Sequence, residues 1–273
     1  MKRTVSVFLV LLVLPALLGA QSLTLEVLRP QFKFRASNPT PSETSTFTTA
    51  WFATLALPIY KNVYFVGQLP FAGGKLDENP VTTKGHTIGN PAFGLRFDHN
   101  NLFIDVGLRL PFAKNGFGGF VGAIADIDRQ EAFVPDLVPL YGMIKTKISI
   151  SKFSIRPYGG ATFNIRVERD KLSGEYFRNY LRNVFSARAN DGELFVLYGG
   201  EGGFDLGKFY IGGAYSARTW VSSGVSFGTG SINQVSLRAQ YDFGQITPGA
   251  IFRFPVDDIL LDSVLGLHCA FEF

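Results

Sequence analysis

Cysteine is nearly absent, with one in 273 residues. A single cysteine makes no internal bridge, which excludes a disulfide-stapled domain, a zinc ribbon and a cysteine-held iron–sulfur cluster. Three histidines leave little for a histidine-built metal centre, and no cofactor or metal is expected. Charge is also sparse. Only 18% of residues are charged, against 46% hydrophobic, which excludes a disordered chain. The excess of basic residues is small, a formal +4, and they are scattered rather than clustered. No nucleic-acid partner is expected from such a pattern.

Long hydrophobic runs are missing as well, with one exception. Lys2 and Arg3 are followed by an apolar stretch from Val5 to Leu18, then by Gly19 and Ala20 before Gln21. A basic start, an apolar middle and small residues at the end predict a secretory signal peptide over residues 1–20. Residue 21 is Gln rather than Cys, so no lipid-anchor box is present. Beyond it, even the segment from Leu137 to Ile144 stops at Lys145, short of the roughly 20 apolar residues of a spanning helix.

A chain this rich in Phe, Leu, Val and Ile must therefore hide its hydrophobicity by alternation. In residues 102–110, Leu102, Ile104, Val106, Leu108 and Leu110 alternate with a set that includes Asp105 and Arg109. Val235, Leu237, Ala239 and Tyr241 alternate with Gln234, Ser236, Arg238 and Gln240. Period two is the pattern of strands and excludes helices here.

The spacing predicts about twelve strands, near 24–36, 46–58, 62–71, 88–98, 101–113, 136–150, 153–167, 193–204, 208–221, 232–242, 245–254 and 260–273. Connections alternate between short turns and long loops, the longest being 72–88, 114–135 and 168–193. That rhythm predicts an all-β transmembrane antiparallel up-and-down β-barrel over residues 21–273, with both termini at the short-turn side. The last strand carries Leu265, Leu267, Cys269, Phe271 and Phe273 at every second position. An alternating final strand that ends on Phe is similar to the assembly signal of outer-membrane barrels. Phe271 and Phe273 are thus expected to be read by the barrel-assembly machinery, with the lipid bilayer of the bacterial outer membrane as the destination.

The segment from Gln68 to Ala113 contains Gly89-Asn90-Pro91-Ala92-Phe93-Gly94 at a strand start, then Leu-Phe-Ile-Asp-Val-Gly-Leu-Arg-Leu-Pro-Phe-Ala. It resembles the outer-membrane transporters of the MetA pathway of phenol degradation, with Asn90 where Asp is common. The resemblance implies a pore for a small-molecule solute without implying phenol.

If apolar residues face lipid, the alternate set faces the lumen. The predicted pore lining is Arg29, Lys33, Arg96, Asp105, Arg109, Lys145, Lys147, Arg156, Arg166, Glu201, Arg218, Arg238, Arg253 and His268, with Arg35 beside them. Mid-lumen acids are few, mainly Asp105 and Glu201, so the lumen is expected to be net positive and to favour anions. The competing expectation is that these arginines pair with acids and loop carbonyls and fill a small barrel. Loop 114–135 is Gly-rich over 116–120 with a short helix expected over 123–130, and loop 168–193 carries Tyr176, Phe177, Tyr180, Leu181 and Phe185 at roughly helical spacing, an apolar face. Such faces pack into the barrel mouth or against neighbouring loops, and the second is expected. Mid-strand glycine pairs such as Gly199-Gly200 and Gly212-Gly213 predict sharp curvature or a loop pressed inside.

An enzyme is not expected. His86 has threonines but no serine nearby, His99 sits in a predicted turn, and His268 has Ala270 where a nucleophile would be wanted. The sequence therefore predicts a monomeric or loosely oligomeric channel that passes small solutes passively. The alternative is a closed barrel with a structural or adhesive role.

Overall fold

Five tight turns set one end of the molecule. Each contains one residue with left-handed backbone: Asn62 (φ 63°), Asn100 (φ 54°), Ser151 (φ 57°), Gly207 (φ 75°) and Gly244 (φ 98°). Asn and Gly adopt this conformation at low cost, and Ser151 is the exception. The turns join long antiparallel strands in a computed structural model that describes residues 21–32, 45–78, 81–167, 192–221, 230–257 and 261–273. The segment 1–20 expected to be a signal peptide, Lys33, Arg35 and most of loop 168–193 lie outside the described residues.

The strands are β1 (Ser22–Phe32), β2 (Ser45–Tyr60), β3 (Val63–Glu78), β4 (Val81–Ile88), β5 (Ala92–His99), β6 (Leu102–Arg109), β7 (Leu137–Thr146), β8 (Ile148–Ile150), β9 (Phe153–Arg166), β10 (Gly192–Leu206), β11 (Phe209–Trp220), β12 (Ser231–Tyr241), β13 (Ile246–Pro255) and β14 (Leu261–Glu272). Strands β4 and β5 form one stave interrupted at residues 89–91, and β7 and β8 form another interrupted at Lys147. That makes twelve staves, as expected. All pair with their neighbours, and β1 closes the cylinder on β14. Closure removes the free edges that lipid does not tolerate.

Two details depart from the sequence reading. Segment 72–88 is not a loop: the β3–β4 ladder runs from Phe71–Ile88 to Glu78–Val81, so the hairpin projects beyond the band. Loop 114–135 does not stay outside. It turns inward and packs on the inner wall.

Outside, alternation produces an apolar band. Phe93, Leu95, Phe97, Val106, Leu108, Ile144, Phe163, Leu237 and Leu267 are all exposed on the outer face. An apolar surface this extensive has no place in water and matches a bilayer core. No helix among the described residues is long and apolar enough to cross a membrane. Phe271 lies on β14 with the parity of the outward Leu265 and Leu267, and the Phe273 N–H donates to the Gln21 carbonyl (3.1 Å) where the ends meet.

Inside, several of the glycines lie under aromatic side chains. They seat tyrosine rings flat on the wall. A Cβ at Gly199 would stand 2.6 Å from the Tyr158 hydroxyl, and one at Gly203 would stand 2.5 Å from that of Tyr210.

Candidate functional site

The β6–β7 connection plugs the lumen. Its helix α1 (Phe117–Ala125) reads Phe-Gly-Gly-Phe-Val-Gly-Ala-Ile-Ala, apolar on every side, which requires burial all round. The expected helix is present but begins earlier than position 123. A 3-10 helix, Ile127–Ala132, follows. Gly118 and Gly122 permit the fit: added Cβ atoms would stand 2.8 Å from the His86 backbone and 2.3 Å from the Phe133 ring.

This plug rests on an apolar patch of the inner wall. Leu28, Ala50, Phe52, Ala72, Ile251, Leu261 and Val264 meet Ala123, Ala125, Ala132 and Phe133, with Phe52 and Phe133 edge to face at 5.6 Å. Strand β1 therefore turns even-numbered residues inward, and Arg29 is exposed on the outer face with the parity of Leu25 and Val27. Placing Arg29 in the lumen is corrected on this ground: near the plug both faces of β1 are apolar, so a charge alone does not reveal parity.

Asn90 ties the two ends of the plug to the wall. It is fully buried. Its Oδ1 accepts from the N–H groups of Phe112 and Ala113 (both 2.8 Å) where the loop departs. Its Nδ2 donates to the carbonyls of Glu131 (2.8 Å) and Val134 (2.6 Å) where the loop returns. The Asn90 N–H donates to Ala132 O (2.6 Å), and Arg109 donates to Asn90 O (3.2 Å) and Gln68 Oε1 (2.8 Å). Gly89 is required beside it, because a Cβ there would lie 2.3 Å from Ala132 O. The Gly-Asn-Pro break between β4 and β5 is thus a clasp.

Charge completes the attachment. Arg129 of the plug pairs with Asp126 and with Glu26 of β1 (2.5 Å), and its guanidinium lies 3.8 Å over the Phe52 ring. Arg253 of β13 reaches Asp126 (2.9 Å) and Glu26 (3.3 Å). Across the lumen Arg218 of β11 meets Glu131 at 2.7 Å, both buried. Burial disfavours the charged form of Asp126, but Arg129 and Arg253 outweigh it and hold the carboxyl well below the usual range. Asp128 goes the other way: burial, then the neighbouring Asp126 charge, push it up to about 6.

On the turn side of the plug lies a chamber of about 730 Å³. Arg96, Asp105, Arg109, Lys145, Lys147, Arg156, Glu201, Arg238 and Arg253 all line it. Arg166 and Arg218 also face inward but lie outside the chamber, with Arg166 beside Glu193 (3.4 Å). His268 shares the inward face and covers Gly249. Glu26, Asp126, Asp128, Arg129 and Glu131 also line the chamber and were not anticipated. The chamber therefore holds eight basic and six acidic residues, so the expectation of a lumen with few acids is corrected. Four of these five came in with a loop expected to stay outside. The available signal was on the staves: Leu28, Ala50 and Phe52 break the polar-inward rule, which marks a wall covered on both faces.

No protein-family model matches this chain, and no curated protein does. Solved structures are similar to it in shape. An outer membrane channel from Pseudomonas putida F1 aligns over 94% of this chain and 96% of its own, at 11% identity and a TM-score of 0.56. The chain has the fold of an outer-membrane β-barrel. The translocator domain of autotransporter NalP from Neisseria meningitidis covers 100% and 96%, at 11% identity and TM-score 0.58. The beta domain of the Bordetella autotransporter BrkA covers 93% and 100%, at 10% and 0.52.

Proposed function

We propose that this barrel is a passive, non-catalytic outer-membrane channel for small solutes, leaning toward anions and shut by its own β6–β7 loop. The observation that carries the reading is a hollow, charged chamber ending at a plug held without covalent bonds. A barrel with a purely structural role has no use for a cavity of about 730 Å³, since packing it would add stability. The side chains of Arg96 and Lys145 are 35% and 42% exposed, so water reaches the chamber. The resemblance to the phenol-pathway transporters supports a small-molecule cargo, and in this chain its Gly89-Asn90 residues hold the plug. The short turns would then face the periplasm, and Phe271 and Phe273 would serve recognition by the assembly machinery.

The test is single-channel recording of the refolded chain in a planar bilayer under a salt gradient. It is paired with a variant in which residues 115–130 are replaced by a short Gly-Ser linker. Brief openings in the full chain, sustained openings in the shortened one and an anion-leaning reversal potential are expected. Silence from both, with each barrel folded by its heat-dependent gel shift, would overturn the channel reading.

A further inference from the structure

Charge in the chamber is unevenly distributed. Next to the plug, Glu26 and Asp126 are matched by Arg129 and Arg253. Toward the turns the matching fails. Asp105 is fully engaged, accepting from Arg96 (2.7 Å) and Lys145 (2.9 Å). Glu201 is not a close partner to either of its cations. Tyr210 donates to its Oε1 at 2.6 Å, while Arg156 from β9 and Arg238 from β12 stand 3.6 Å and 3.5 Å away. Charge-assisted N–H···O bonds are normally 2.7–2.9 Å. Arg238 Nε is buried without a hydrogen-bond partner among the described residues. Two guanidiniums from opposite sides thus share the single Glu201 carboxylate and leave the cluster net positive.

Lys147 adds to the imbalance. It lines the chamber and has no carboxylate partner among the described residues. Lys145 is in register with Tyr158 and Ile148 with Ile155, which places Lys147 directly opposite Arg156, where the ladder is interrupted. Like charges opposite one another destabilise a strand pair. A second carboxylate here would relieve that repulsion, and the chain supplies none from its described residues.

We propose that the turn-side end of the chamber is a saturable site for a small organic dianion. Among the described residues, Arg156, Arg238 and Lys147 face a single carboxylate, Glu201, and the two positive charges left over are matched by one ligand carboxylate beside the Arg156–Glu201–Arg238 cluster and the other on Lys147. The inference rests on the channel reading for its purpose, since a solute would be held here before it passes the plug. The cavity is of the size that small-molecule sites usually have, roughly 300–1,000 Å³. A monocarboxylate matches only one of the two charges.

Isothermal titration calorimetry on the refolded full chain in detergent tests this, with succinate, acetate and inorganic phosphate as probes at low salt. Succinate is expected to saturate one site and to bind at least tenfold more tightly than acetate or phosphate. Arg156→Gln and, separately, Lys147→Gln are each expected to weaken succinate at least tenfold, in barrels that keep the heat-dependent gel shift. No saturable succinate binding, equal affinity for acetate, or unchanged affinity in both variants would overturn the proposal. Phosphate binding as tight as succinate would also overturn it, in favour of a single-centre anion seat. Calorimetry needs no conduction, so the two readings fail separately. Conductance without succinate binding removes the dianion site, and binding without conductance removes the channel.

Discussion

Replacing Asn90 by Ala should release the plug. The side chain makes four hydrogen bonds to loop backbone at 2.6–2.8 Å, three of them buried and the one from Phe112 part-buried. Each is worth about 1 kcal/mol net, and more when its partner is left buried without water. Chamber water will rescue some of the freed groups, so the docked plug should lose about 3–5 kcal/mol. At about 1.4 kcal/mol per decade, the ratio of docked to undocked plug falls by about two to three and a half orders of magnitude. Asn90→Asp is the sharper comparison. One oxygen still accepts from Phe112 and Ala113, but the other faces two carbonyls that need donors, so Asp should open the channel about as well as Ala. Bilayer recording reads the open fraction, and the gel shift reports that the barrel itself is intact. Both variants gating like the parent chain, while replacement of residues 115–130 opens it, would refute the clasp.

Other perturbations act on the same assembly. Arg218→Gln should leave Glu131 buried and uncompensated, costing about 3–5 kcal/mol in plug docking, whereas changing both to apolar residues of similar volume should cost much less; a double-mutant cycle on open fraction measures the difference. Asp128 has a raised pKa of about 6 in the docked plug, against an ordinary value of 3.8. The docked state therefore binds the extra proton: docking is strengthened below about pH 4, and this contribution is lost as pH rises through about 6. Its size is at most about 3 kcal/mol, less the screening by chamber water. Acidification from pH 7 to pH 4.5 should reduce opening, and Asp128→Asn should abolish that dependence; a pH-independent parent chain would contradict the assignment. Gly203→Ala should crowd the Tyr210 ring and cost about 1–3 kcal/mol, visible as a lower temperature for loss of the gel shift, while Gly213→Ala, which has no contact tighter than 3.6 Å, should be nearly neutral.

The strands were legible because their signal is local. Residues such as Leu102 to Leu110 announce both their conformation and their two faces by period two. The tight turns at Asn62, Asn100, Ser151, Gly207 and Gly244 fall within a residue or two of their expected positions. Most inward side chains followed from the same parity, including Arg96, Asp105, Arg156, Glu201, Arg238 and Arg253. Parity failed at β1, where Val27 and Leu28 are both apolar and Arg29 offered the wrong cue.

The plug was not legible in the same way. Its helix is apolar on every side, which signals burial but not the surface that buries it. That surface is assembled from β1, β2, β3, β13 and β14, brought together only when the first and last strands pair. Asn90 likewise gains its role from four backbone groups, at positions 112, 113, 131 and 134, which no periodicity links to it. The sequence by itself determined the barrel, its strand number and which end carries the turns, because alternation and turn chemistry act between near neighbours. Only the tertiary structure decided that the lumen is plugged, that Glu26, Asp126, Asp128 and Glu131 offset its arginines, and where cations remain unmatched, because those outcomes depend on contacts between residues up to 227 positions apart.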